Sequence, residues 1–190
     1  MNIEQFVIAY GVEQDRLRAI LPDGFSSLRP VLRINAEVRD EKCGYVEFNT
    51  AIEKDGKKGW LNIGHWNNVI FERNGKKVIF KTDFLTISFK GVGIEGSCPA
   101  EKDNAGCYFL KDAGLFRPVE AITANKEFCD CEFAWNFGGT GAHGVSIGKT
   151  LPAIPTEVKT LYPKHDFTVE NAAQIPCEQV LGTYMVKFAQ

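Results

Sequence analysis

A glycine-rich stretch, a close pair of cysteines and three histidines are the residues whose types and spacing first suggest chemistry. Gly139-x-Gly141-x-x-Gly144 has the spacing of a dinucleotide-binding turn, and Gly148-Lys149-Thr150 looks like the end of a phosphate-binding loop. Either would hold phosphate on backbone N–H groups at the start of a helix. The residues that follow, Val145 to Pro155, carry two prolines and several β-branched side chains, which deny a helix. The phosphate-loop spacing also fails, because three residues separate Gly144 from Gly148 where four are needed. The stretch Gly138 to Thr150 is therefore expected to be a turn that binds no nucleotide.

Six cysteines (Cys43, Cys98, Cys107, Cys129, Cys131 and Cys177) are enough for three disulfides. Cys129-x-Cys131 is one residue short of a C-x-x-C pair, and no second close pair completes a four-ligand metal site. In an alternating strand these two would share one face. Without a secretory signal, and with a chain long enough for its own core, free thiols are expected. His65, His143 and His165 form no H-x-x-x-H pair. Neither a metal nor a cofactor is implied.

The composition narrows the class. A chain of 190 residues suits one domain, 1–190, with 44% hydrophobic and 24% charged residues, which are ordinary globular proportions. Its 22 basic and 24 acidic residues are well mixed, so no basic face suggests nucleic acid and no polybasic tail suggests a membrane surface. The opening MNIEQFVIAYG lacks the basic region and apolar run of a signal peptide, and no apolar run is long enough to span a bilayer. A cytoplasmic protein without nucleic-acid or membrane partners is expected.

The elements that must position any site are mostly strands. From Glu127 to Phe137, Cys129, Cys131, Phe133, Trp135 and Phe137 alternate with polar residues. Val46, Phe48 and Ile52 alternate with Glu47, Asn49 and Ala51, and Val180, Tyr184, Val186 and Phe188 with Leu181, Thr183 and Lys187. Asp55-Gly56 and Asn74-Gly75 mark hairpins, since these residues tolerate positive φ. One helix is predicted over roughly 12–21, where Leu17, Ile20 and Leu21 share a face and Pro22 stops further turns. PTEVKTLY, between Pro155 and Pro163, is a second helix candidate. The class is mainly β, and a sheet so rich in antiparallel hairpins must close into a barrel or pack as a sandwich to hide its edges.

The N-terminal third, QFVIAYGVEQDRLRAILPDGF, RPVLRINAEV and CGYVEFNTAIEKDGKKGWLNIGHW, resembles the acetoacetate decarboxylase-like superfamily. Its short helix with a D-x-L-R-like pattern, its proline turn, Pro30-Val31-Leu32-Arg33 and Tyr45-Val46-Glu47 carry the resemblance. LPAIPTEVKTLYP and IPCEQVLGTYMVKF are similar to the family's closing segments. The resemblance implies an antiparallel cone-shaped β-barrel with one or two short helices around a small-molecule cavity. It also implies nucleophilic chemistry, in which a desolvated lysine forms a Schiff base with a β-keto acid and the imine accepts electrons as carbon dioxide leaves. A free lysine titrates near about 10.4 and is protonated at neutral pH, so it cannot attack a carbonyl until its surroundings disfavour the charge.

In VGIEGSCPAEKDNAGCYFL, Pro99 and Lys102 stand in the order of the family's lysine segment, and Glu47 resembles its catalytic carboxylate. The resemblance thus implies Lys102 as nucleophile and Glu47 as the acid that orients substrate or shuttles a proton. Three family features are missing. Lys102 has no neighbouring lysine and is flanked by Glu101 and Asp103, which favour its protonated form. Ile3 stands where a cavity arginine is expected, and Asn35 where a second acid is expected. His65 reads as a core or rim residue, and Trp60, Trp66 and Trp135 as core or pocket-lining aromatics.

Three functions fit these residues. The first is a decarboxylase-like lyase acting on a small keto acid through Lys102, or through Lys90 or Lys111, buried beside an apolar cavity. The second is a non-catalytic barrel that binds a small apolar or carboxylate-bearing ligand. The third is an interaction module whose barrel is filled by its own side chains. Open sheet edges leave room for a homo-oligomer.

Overall fold

The computed structural model describes residues 1–82, 85–91, 108–111, 115–118, 127–137, 142–143, 175 and 177–189. Its strands are β1 (Asn2–Gly11), β2 (Ser26–Arg39), β3 (Cys43–Lys54), β4 (Lys57–Asn74), β5 (Lys77–Lys81) and β6 (Leu85–Gly91). They continue as β7 (Tyr108–Lys111), β8 (Leu115–Pro118), β9 (Glu127–Phe137), β10 (Ala142–His143) and β11 (Gln179–Ala189), with a single helix, α1 (Gln14–Ile20), among the described residues. No helix among those residues is long and apolar enough to cross a membrane.

Tight turns set the strand order. Asp55 and Gly56 have φ of 50° and 71°, and Gly75 has φ of 59°, so both hairpins expected from the sequence form where left-handed backbone is tolerated. A third, between β2 and β3, turns through Asp40 and Glu41 at φ of 47° and 58° without any glycine. Asp40 makes this workable by tying itself to β1: its Oδ1 accepts from the Asn2 N–H at 2.7 Å, and its own N–H donates to the Asn2 carbonyl at 2.8 Å.

The helix is shorter than the predicted 12–21. Leu21 has already turned extended, as a residue before proline must, and α1 ends at Ile20. Leu17 and Ile20 therefore enter the main core, whereas Leu21 packs apart from it with Ile52 and Leu61. The second helix candidate lies outside the described residues.

Hydrogen-bonded neighbours run β3-β2-β1-β11-β9-β6-β5-β4, and β4 also pairs with β3, so the sheet curls back on itself as a barrel. The length of β4 allows the closure: its early residues pair with β3 up to Val69, and Ile70 to Asn74 pair with β5. All these pairings are antiparallel, and the short β4–β7 ladder is the one parallel pairing among the described residues.

One face of the sheet holds the apolar core. Phe6, Ile8 and Tyr10 of β1, Leu32 and Ile34 of β2, and Val46 and Phe48 of β3 meet Phe80 and Phe89 of β5 and β6. The Phe6 ring lies 5.2 Å from Phe89 and 5.9 Å from Phe80, so aromatic rings fill this side across the barrel. The apolar side is thus packed by its own side chains, and the expected cavity does not lie there. Along β11 the predicted alternation breaks: Val180 joins this core, but Tyr184, Val186 and Phe188 cluster on the other face with Ile3 and Val7. A bulge explains it, since Ala9 pairs with Gly182 and Tyr10 with Val180, leaving Leu181 unpaired.

Candidate functional site

The opposite face carries, beside the Ile3–Phe188 cluster, a patch of polar side chains that is nevertheless buried. Alternation puts Gln5 of β1, Arg33, Asn35 and Glu37 of β2, and Glu47 and Asn49 of β3 on this face, and all six are buried. Burying so many polar groups costs free energy unless they find partners, and here they bond mostly to one another, with Asn49 Oδ1 left without a partner among the described residues.

Glu47 sits at the centre and is 7% exposed. Its Oε1 accepts from Asn35 Nδ2 at 2.7 Å and from Asn49 Nδ2 at 3.1 Å. Its Oε2 accepts from the Tyr45 hydroxyl at 2.6 Å and from Asn62 Nδ2 at 2.9 Å. Four uncharged donors from three strands thus fix the carboxylate in one orientation. Tyr45 remains a neutral donor, because burial raises its pKa and the charge of Glu47, together with the bond to it, raises it further.

Asn35 links this carboxylate to a buried cation. Its Oδ1 accepts from Arg33 Nε at 2.8 Å while its Nδ2 serves Glu47. Arg33 Nη2 reaches the Tyr184 hydroxyl at 3.2 Å, and its guanidinium lies 5.1 Å from the centre of the Trp60 ring, which Arg29 also approaches at 5.4 Å. On the other flank, Glu37 accepts from Gln5 Nε2 and from Arg39 Nε, both at 2.7 Å, and Arg39 stacks 3.8 Å over the Tyr45 ring. Burial raises the Glu37 pKa; Arg39 opposes that shift and the negative Glu47 adds to it.

Glu47 therefore lies inside the protein, with Val46 and Phe48 turned to the apolar core on the reverse face. Lys102 lies outside the described residues. Lys90 is exposed on β6, contrary to the requirement that an alternative nucleophile be buried. Lys111 ends β7, one residue past the Leu61–Leu110 pair. Asn35, in place of the expected second acid, lets the two groups bond directly, where two ionised carboxylates at that distance would repel. Ile3 is buried, and the residue opposite it on β2 is Arg39.

Asn49, Asn62, Arg33 and Tyr184 join this site although none of them was expected to have a site role from the sequence. Asn49 shares the parity of Glu47 along β3, which marks it in the sequence; for Asn62 no local pattern exists. Trp60 is buried between Val31 and Ala51, Trp66 packs on the apolar core, and the side chain of Trp135 is not described. Cys43 and Cys177 are free thiols, the other four lacking described side chains, and no metal-binding group of His, Cys, Asp and Glu occurs among the described residues. Of Gly138 to Thr150, only β10 is described. A separate cleft of about 770 Å³ opens where β1 begins and β11 ends, lined by residues including Ile3, Phe71, Arg73 and Phe188.

No family model and no curated protein matches the sequence. Solved structures do resemble it. An acetoacetate decarboxylase from Legionella pneumophila aligns over 99% of this chain and 83% of its own, at 14% identity and a TM-score of 0.54. The enduracididine biosynthesis enzyme MppR, complexed with pyruvate, aligns over 98% of this chain and 84% of its own, at 10% identity and a TM-score of 0.55. An acetoacetate decarboxylase-like enzyme from Sphingomonas wittichii RW1 aligns over 98% and 87%, at 9% identity and a TM-score of 0.50. The chain has the acetoacetate decarboxylase-like fold.

Proposed function

We propose that this protein acts on a small keto acid through a lysine Schiff base, with Glu47 as the site carboxylate and Lys102 as nucleophile. The observation that carries the reading is Glu47 itself: a buried carboxylate held by four donors on the polar face of an acetoacetate decarboxylase-like fold. A carboxylate fixed this firmly serves to orient a substrate, since its position costs no reorganisation when the ligand arrives. Pyruvate, bound by the structural neighbour MppR, makes short keto acids the first to try.

A second reading, a non-catalytic protein that binds a small carboxylate-bearing ligand, is favoured by Asn35. An amide in place of a second acid satisfies Glu47 without supplying a proton. Borohydride reduction in the presence of a panel of short keto acids separates the two. Catalysis predicts a reduced adduct that maps to Lys102 and carbon dioxide release that Lys102→Ala abolishes. Adduct at Lys111 would move the nucleophile, and saturable binding without any adduct would establish the binding protein.

A further inference from the structure

Strict alternation along β4 would put Gly64 and Trp66 on the same face as Asn62. The ladder does otherwise: Phe48 pairs with Gly64 and Asn49 with Asn62, so Ile63 has no partner in β3. A bulge of this kind reverses which side chains share a face. Ile63 and Trp66 consequently both pack against the apolar core, while Asn62 and His65 both join Glu47. His65 becomes the direct cross-strand neighbour of Glu47, and its ring lies 5.8 Å from that of Tyr45, tilted by 32°. It is half-buried, unlike the carboxylate beside it.

The other groups on this face are poorly suited to moving a proton. Both oxygens of Glu47 are occupied by donors, so protonating it breaks bonds to Asn35, Asn49, Asn62 or Tyr45. Glu37 is engaged by Arg39 and Gln5. Arg33 and Arg39 keep their protons, as guanidinium does. An imidazole nitrogen can both accept a proton and return it.

We propose that His65 is a catalytic acid–base residue that moves the proton on the carbon next to the keto carbonyl of a short 2-keto acid. The inference rests on the keto-acid reading above. A lysine amine and pyruvate condense with loss of water to a protonated imine. The His65 imidazole then takes a proton from C3; the C3–H electron pair becomes the C2–C3 double bond, and the C=N pair settles on nitrogen. The imidazolium returns a proton to C3 and restores the imine. In D2O the imidazolium trades that proton for a solvent deuteron before returning it, and water then hydrolyses the imine, so the released pyruvate loses its methyl proton signal.

The experiment runs borohydride trapping and methyl exchange of pyruvate side by side, on the wild type, His65→Gln and His65→Asn, with melting temperatures as a check on folding. Wild type is expected to trap an adduct and to exchange. A folded His65 variant should trap normally but exchange roughly 100-fold or more slowly, with added imidazole restoring part of the rate. Undiminished exchange in a folded, trapping variant overturns the role of His65 and leaves the keto-acid reading intact. Loss of trapping in both folded variants also overturns it, because His65 would then act before proton transfer. A wild type that traps no pyruvate adduct overturns this inference, and the keto-acid reading falls with it only if the other short keto acids of the panel also leave no adduct.

Discussion

Tyr45 and Glu47 stand two residues apart on β3, and the Tyr45 hydroxyl donates a 2.6 Å hydrogen bond to Glu47 Oε2. Spacing of two on a strand puts both side chains on one face, so the bond follows from sequence once the strand forms. A hydrogen bond to a buried charge is worth about 1.5–3 kcal/mol, and Tyr45→Phe should lose that much in urea unfolding. Glu47→Ala should lose more, because the donors of Asn35, Tyr45, Asn49 and Asn62 all lose their acceptor at once. In the Glu47→Ala background the effect of Tyr45→Phe should fall well below its wild-type value. Equal losses in both backgrounds would mean the two residues are not coupled.

Gly44 and Gly56 need glycine for different reasons. A Cβ on Gly44 would collide with the carbonyl oxygen of Val69, its partner on β4, whereas one on Gly56 would meet nothing within 4 Å. Gly56 instead has φ of 71°, which asparagine tolerates better than other residues with a side chain. Gly44→Ala and Gly44→Asn should both destabilise by about 1–3 kcal/mol, the cost typical of overpacking. Gly56→Asn should be milder than Gly56→Ala. Rescue of Gly44 by asparagine would show that backbone conformation, not the Val69 carbonyl, sets its requirement.

Much of this arrangement was legible in the sequence, and its gaps share a cause. Period-two alternation sorted Val46 and Phe48 from Glu47 and Asn49 correctly, because β3 has no bulge of its own between them. The same rule failed on β11, where the bulge at Leu181 moved Val180 to the other face. On β4, where no alternation was expected, the bulge at Ile63 sets a half-buried His65 on the side of Glu47. A bulge is set by which neighbour a strand pairs with, which one strand's own pattern does not record. The burial of Glu47 was equally hidden: its donors come from residues 35, 45, 49 and 62, and only their register assembles them.

Cys43 and Cys177 should differ sharply towards a thiol reagent. Cys43 is exposed, whereas Cys177 is buried and its pKa is pushed up to about 12, chiefly by burial. Only the thiolate reacts, so at pH 8 the native protein should be labelled at Cys43 and spared at Cys177. Mass mapping after brief labelling reads both sites. Comparable labelling of the two would mean that the β11 end opens readily in the native state.

Glu37 should leave a mark on stability as pH changes. Its folded-state pKa is raised above the ordinary 4.5, because burial outweighs the opposing charge of Arg39. Above pH 4.5 the unfolded chain releases this proton while the folded one keeps it, so the unfolded state gains in relative terms. The contribution of Glu37 is therefore complete below pH 4.5, declines as pH rises, and is lost once pH passes the folded-state value. Glu37→Gln cannot titrate and should lack this decline. Urea unfolding of both proteins from pH 4 to pH 8 gives the difference directly: wild-type stability relative to the variant should fall with rising pH. A difference that rises instead would show that the pair with Arg39 dominates, leaving Glu37 ionised throughout as a fixed anchor for the guanidinium stacked on Tyr45.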